Sequence, residues 1–334
     1  MSIVLSQQTR RASVARHAHY GGFFVFGVQS AGMKYTKPAL TCEQQADLLI
    51  QRGMCGSRQL IITRLSMVSY YRLSGYSHPF RCPLSGEGFI PGTTFEGVWA
   101  RYAFDRRLRV LVMDAIERVE VSVRTWLAYE HAHETGPFGY ATDLAALPEL
   151  DAEDRAKFFA DLAKDIAKSR EAFVEHYQKK YGRDHPHMPI WMITEIMSFG
   201  EMVTLFRGSS YRIRGLVAGR LGVDRNVFFS WLLALNTVRN VCAHHSRLWN
   251  REFGVRPKLP NNNPHWRTPV EIRNNRLFVV LTILKYCLDR TAPQSAWSSR
   301  VVKLLSEYSQ VPKRDMGFPD NWTECPFWTD CLAI

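Results

Sequence analysis

The chain has 334 residues, 46% of them hydrophobic, so it holds enough apolar material for a sizeable folded core and is not a disordered tail. Lys and Arg outnumber Asp and Glu by 43 to 31, a formal charge of +12 spread along the sequence that attracts polyanions without choosing between RNA, DNA and an anionic membrane surface. No run approaches the ~20 apolar residues of a membrane-spanning helix, and seven scattered cysteines without a CxxC pair speak against a disulfide framework or zinc ribbon and for a reduced, cytoplasmic setting.

Residues 1–32 carry Arg10, Arg11 and Arg16 and no acid, with a short apolar patch at Phe23-Phe24-Val25-Phe26. They imitate a targeting peptide, but the patch is too short and too closely flanked by glycine. Met33 opens a segment that reads like an ordinary protein start, so 1–32 is expected to be a disordered extension or an upstream-start artefact. Residues 33–92 are expected to form an N-terminal helical region with a loop: one helix starting at Thr41 and ending near Gly53, a second over 57–68, a break in helical period over Ser69–Tyr76, and a Pro/Gly-rich loop or hairpin over 79–92.

A mainly α domain, a helical bundle without sheet, is expected over 93–290. Residues 95–129 give the longest amphipathic helix, with i,i+4 pairs Asp114–Arg118 and Glu120–Arg124. A second amphipathic stretch runs over 151–181. Pro189 can start a helix through an apolar run in which Glu195 and Glu201 are unusual guests. A basic segment follows with Arg207, Arg212, Arg214, Arg220 and Arg225, opposed locally only by Asp224, and is a candidate for phosphate contact or a solvated charged face. The last helices are expected over 228–249 and 271–290, with 291–334 as a C-terminal tail.

The run FFSWLLALNTVRNVCAHHSRLWN over 228–250 departs from a simple amphipathic pattern. Asn236, Asn240 and His244 recur every four residues and form one polar stripe on a helix that is otherwise apolar, so the stripe must be hydrogen-bonded, face a cavity or meet a partner. Arg239 sits about 140° around an ideal helix from His244. The two share a site only if the arginine reaches round or a second helix completes it, and two copies meeting on a symmetry axis satisfy that geometry.

Arg239-Asn240-Val241-Cys242-Ala243-His244 matches the R-N-x-x-x-H form of the Rx4–6H motif of HEPN ribonucleases. Together with YYRLSGYSHPF at 70–80, FDRRLRVLVMDAIERVEVSVRT at 104–125 and PIWMITEIMSFGEMVTLF at 189–206, it resembles the bacterial abortive-infection (Abi) proteins of the AbiD/AbiF type, over about residues 35–290. The resemblance implies an HEPN-like helical bundle, a role in phage defence, a homodimer, and metal-independent RNA cleavage leaving a 2′,3′-cyclic phosphate. His244 would be the general acid or base, Arg239 the phosphoryl clamp and Asn240 the orienting amide. It also implies an RNA partner, which could be a structured non-coding RNA.

Candidate RNA contacts are Arg72, Tyr76, Arg207, Arg212, Arg214, His245 and Arg247. Tyr70, Tyr71, Arg72, Ser74 and Tyr76 combine aromatic faces with a guanidinium, the ingredients for gripping unstacked bases, or else they pack the N-terminal helices. His245, one residue from the motif histidine, could be a second RNA contact, a core histidine or the true acid-base group. Cys242, His244 and His245 lack a distal ligand pair, so no metal or other cofactor is expected. The alternative is an RNA-binding module that holds a structured RNA and no longer cuts. A DNA-binding regulator is disfavoured, because no helix-turn-helix spacing is visible.

Overall fold

Side-chain oxygens set where half of the helices begin. In the structure, a computed structural model that describes residues 37–83 and 88–332, the hydroxyls of Ser57, Ser69, Thr94, Ser198 and Ser210 and the carboxylates of Asp151 and Asp224 accept hydrogen bonds from otherwise unpaired first-turn amides. The helices are α1 (Cys42–Gln51), α2 (Arg58–Met67), α3 (Tyr70–Ser77), α4 (Phe95–Thr135), α5 (Gly139–Thr142), α6 (Ala152–Lys168) and α7 (Ala172–Tyr181), then α8 (Ile190–Ile196), α9 (Phe199–Gly208), α10 (Tyr211–Gly219), α11 (Arg225–Ala243), α12 (Leu277–Thr291), α13 (Trp297–Glu307) and α14 (Thr329–Leu332). Among the described residues there is no strand, only the isolated bridges Cys55–Thr94 and Arg81–Phe89. The mainly α expectation is met. No helix among these residues is long and apolar enough to cross a membrane. The expectation for residues 1–32 lies outside the described residues.

α4 is the axis of the molecule: 41 residues, about 60 Å long, with α3, α8, α10, α11, α12 and α13 packed along it. Its core side, from Phe95 through Phe104, Leu108, Val112, Val119 and Val123 to Leu127, keeps helical spacing throughout. Both expected i,i+4 pairs form, Asp114–Arg118 and Glu120–Arg124. The chain divides after Thr41, and all the helices belong to the second unit. α1 to α3 are therefore not separate from the bundle.

Three expectations are corrected. Residues 70–77 form α3, because Ser69 caps it and Leu73, Tyr76 and Ser77 give it a buried side despite the polar and glycine content. The 151–181 stretch is two helices, parted at Ser169, whose backbone turns extended. A helix does begin at Pro189, as expected: α8 ends where Met197 turns extended, and Ser198 and Glu201 close a capping box that starts α9, which explains the buried Glu201. Residues 297–332 are no tail. Trp297 Nε1 donates to Leu111 O (2.7 Å), Trp328 Nε1 donates to Thr282 Oγ1 (3.1 Å), and the buried Lys285 ammonium of α12 bridges Asp289 and Asp330. α12 is apolar on all sides and needs this cover.

A buried histidine makes this core sensitive to acid. His131 of α4 is fully enclosed, and Ser209 Oγ donates to Leu205 O, so it must accept from His131 Nε2–H (2.8 Å). That leaves Nδ1 without a proton and, among the described residues, without a partner. Burial pushes this imidazole down to about 4, against the opposing pull of Glu134. A histidine lowered on folding stabilises fully above its unfolded value near 6.5 and loses that contribution as pH falls toward 4. The 2.5-unit difference corresponds to about 3 kcal/mol. Urea unfolding between pH 7 and pH 4 is expected to show a steeper loss for the native chain than for His131→Gln.

Candidate functional site

α11 carries the Arg-Asn-x-x-x-His motif at its C-terminal end. Its polar stripe runs from the interior to the surface: Asn236 is buried beside Gly200 of α9, Asn240 is half-buried, and His244 is exposed. Arg239 is half-buried. Among the described residues no hydrogen bond or ion pair uses the side chains of Arg239, Asn240 or His244. This fits a stripe whose outer end faces a ligand or partner.

The helix stops in a tight reversal. His244 is its C-cap, His245 N donates to Cys242 O (3.0 Å), and Ser246 N donates to Val241 O (2.9 Å). These are the paired bonds of a Schellman turn, with His245 at the left-handed position that glycine normally takes. Its φ of 54° carries strain for a residue with a side chain. His245→Gly is therefore expected to raise stability by about 0.5–1 kcal/mol, measured as a higher urea midpoint with an unchanged slope.

The reversal turns Leu248 and Trp249 inward, where both are fully buried. A single carboxylate receives them. Asp105 of α4, wholly enclosed, accepts from Leu248 N (3.1 Å) and Trp249 N (2.6 Å), from the Tyr76 hydroxyl (2.5 Å) and from the Arg109 guanidinium. Burial pushes this carboxyl up, and the four donors oppose that by stabilising its anion. Arg109 also reaches Tyr76 Oη (3.3 Å) and Ser246 O (3.5 Å). Beside them, burial and the Asp105 charge push the Cys242 thiol up to about 12, which leaves it protonated.

α3 clamps the other side of the turn. Arg72 Nη1 donates to His245 O (2.5 Å), Arg247 Nη1 donates to Gly75 O, and Arg251 Nε donates to Arg247 O (2.8 Å). Three guanidiniums are thus spent on main-chain carbonyls and keep their charge uncompensated. With Arg109 and Arg239, five arginines lie at this end of α11, and among the described residues only Arg109 has a carboxylate partner, Asp105. Burial, and after it the Arg247 charge, push the Arg251 guanidinium down, against the opposing pull of Asp105.

The other expected RNA contacts fare differently. Arg207 pairs with Asp154 (2.7 Å), Arg212 with Glu134 (2.9 Å), Arg214 with Glu149 (2.8 Å) and Arg220 with Glu130 (2.8 Å). The guanidinium of Arg225 lies over the Tyr211 ring (3.5 Å). The basic segment is largely neutralised by acids from α4 and from 149–154, which are remote in sequence. Asp224 caps α11 instead. Tyr76 is 1% exposed and cannot stack on a base. Arg72, His245 and Arg247 gather at the motif turn, while Arg207, Arg212 and Arg214 do not join it. Asp105 and Arg109 were missed in the sequence, although a charged pair i,i+4 on the core side of α4 was a visible signal.

A protein-family model described as Abi-like protein matches residues 63–250, more than half of the chain. The match begins inside α2 and ends where the turn held by Asp105 ends. No curated protein and no solved structure matches the chain.

Proposed function

We propose that this chain, which belongs to the Abi-like protein family, serves phage defence as a metal-independent endoribonuclease of HEPN type whose reacting groups are Arg239, Asn240 and His244. The family suggests the defence role. The observation that carries the chemistry is the charge pattern at the end of α11: among the described residues, three motif side chains without an internal partner stand beside arginines of which only Arg109 is ion-paired to a carboxylate. The arginines of the basic segment are mostly paired with acids, so among the expected RNA contacts those at this end of α11 keep most of their charge for an RNA phosphate.

His244 takes the proton of a ribose 2′-hydroxyl, or gives one to the departing 5′-oxygen, a task suited to an exposed imidazole at neutral pH. The 2′-oxygen bonds to phosphorus as the bond to the 5′-oxygen breaks, leaving a 2′,3′-cyclic phosphate and a 5′-hydroxyl. Arg239 offers paired N–H donors to the phosphoryl oxygens, and Asn240 holds the imidazole or the phosphate through its amide. His244 makes one of the two proton transfers and water the other, and because Arg239 and His244 lie about 140° apart around the helix, a second copy completes each site. Phe229, Leu233 and Val241, half-buried on the side of α11 that leads to His244, offer an apolar face for such a homodimer.

The test is to strip bound nucleic acid and incubate the chain with labelled RNA and DNA in excess EDTA. Cleavage of RNA alone, with cyclic-phosphate ends, is the expected result. RNA that is bound but uncut, with a discrete co-purifying species, would favour a silent module that holds a structured non-coding RNA.

A further inference from the structure

We infer that Tyr71 and the bare backbone at Gly75 form a shelf on α3 that stacks one unpaired nucleobase of RNA next to the motif turn; this names how the proposed site would grip its substrate and rests on that reading. Tyr71 is 88% exposed, more than any other large hydrophobic side chain among the described residues. Gly75 lies one helical turn further on, on the same side. Apart from its chain neighbours and the helix's own backbone, a methyl group added there would meet nothing within 4 Å. A flat ring therefore stands beside an open floor rather than against a neighbouring helix.

The shelf is fixed relative to the site. The next residue, Arg72, donates to His245 O (2.5 Å), and Arg247 donates to the carbonyl of Gly75 itself. Two bonds tie α3 to the turn that carries His244 and His245, and both donors keep their positive charge. A ring, an open floor and adjoining cations match a base attached to its phosphate, since every base has a face to stack and every linkage has a charge to meet. The buried Tyr76 has no part in this.

The experiment uses the full chain in a His244→Ala background, so that RNA is held and not consumed, and reads binding by fluorescence anisotropy. Tyr71→Ala is expected to weaken a short single-stranded RNA roughly ten- to a hundredfold, Tyr71→Phe and Tyr71→Trp to retain it, and duplex RNA to be unaffected. The salt dependence should keep its slope, because no phosphate contact is removed. Gly75→Leu fills the floor without burdening the helix and should mimic Tyr71→Ala, with thermal melting confirming the fold. An unchanged affinity on Tyr71→Ala, an equal loss for single strand and duplex, or a loss that only follows a change in oligomeric state on sedimentation would overturn the shelf. Because binding is read without cleavage, a native chain that binds through Tyr71 yet cuts nothing refutes the nuclease and leaves the shelf standing.

Discussion

His244→Ala is expected to lower the proposed RNA cleavage by about 10²–10⁴-fold, the range that a positioned proton-transfer group supplies, while melting should stay near that of the native chain because the imidazole is exposed and has no hydrogen-bond partner among the described residues. Arg239→Ala should have a comparable effect, which Arg239→Lys is expected not to restore, since an ammonium lacks the planar fork that meets two phosphoryl oxygens together. Mixing the two inactive proteins separates the geometries. If each site takes Arg239 from one copy and His244 from the other, a heterodimer regains one intact site in two, and an equal mixture recovers about a quarter of native activity. A site contained within one copy recovers none. The separation of about 140° around the helix makes recovery the expected result.

The motif was readable before the fold because Arg239, Asn240 and His244 are local in sequence and a regular helix fixes their mutual angles. Helix starts were readable wherever an oxygen side chain precedes an apolar face, as at Ser57. The capping box Ser198-x-x-Glu201 was readable too and was passed over, because Glu201 looked like a stray charge in an apolar run. What could not be read was pairing at long range. Arg212 lies 78 residues from Glu134, and Arg220 lies 90 from Glu130. The basic segment looked unopposed in sequence and is mostly paired in space. The opposite holds at the motif turn, where Arg72 and Arg247 satisfy carbonyls more than 170 residues away and leave a surplus of charge. Tyr76 and Tyr71 are indistinguishable as residue types. Their fates diverge because positions 73, 76 and 77 face the core and position 71 does not. The last 40 residues drew no functional motif, yet they roof α12, an apolar helix whose burial was a debt the earlier helices could not meet.

Asp105 gives the second large effect, on stability before chemistry. Asp105→Ala removes the only carboxylate paired with Arg109 among the described residues and strands the guanidinium of a residue that is 6% exposed. It also leaves the Leu248 and Trp249 amides without their acceptor. Breaking one side of a buried ion pair costs about 3–5 kcal/mol, so the urea midpoint should fall sharply. The paired variant Asp105→Leu/Arg109→Leu asks what the carboxylate is for. Replacing a whole buried pair by apolar groups is often neutral, so if Asp105 only neutralises Arg109, stability returns. If it holds the turn, two buried amides remain unsatisfied at about 1–3 kcal/mol each, and the paired variant recovers only part of the loss. Partial recovery is expected, because two of the four donors on Asp105 are main-chain groups of the segment that follows His244. A chain repaired in charge but not in its turn should then keep its helices by circular dichroism and lose cleavage through kcat, since the imidazole would no longer be held where the phosphate is bound.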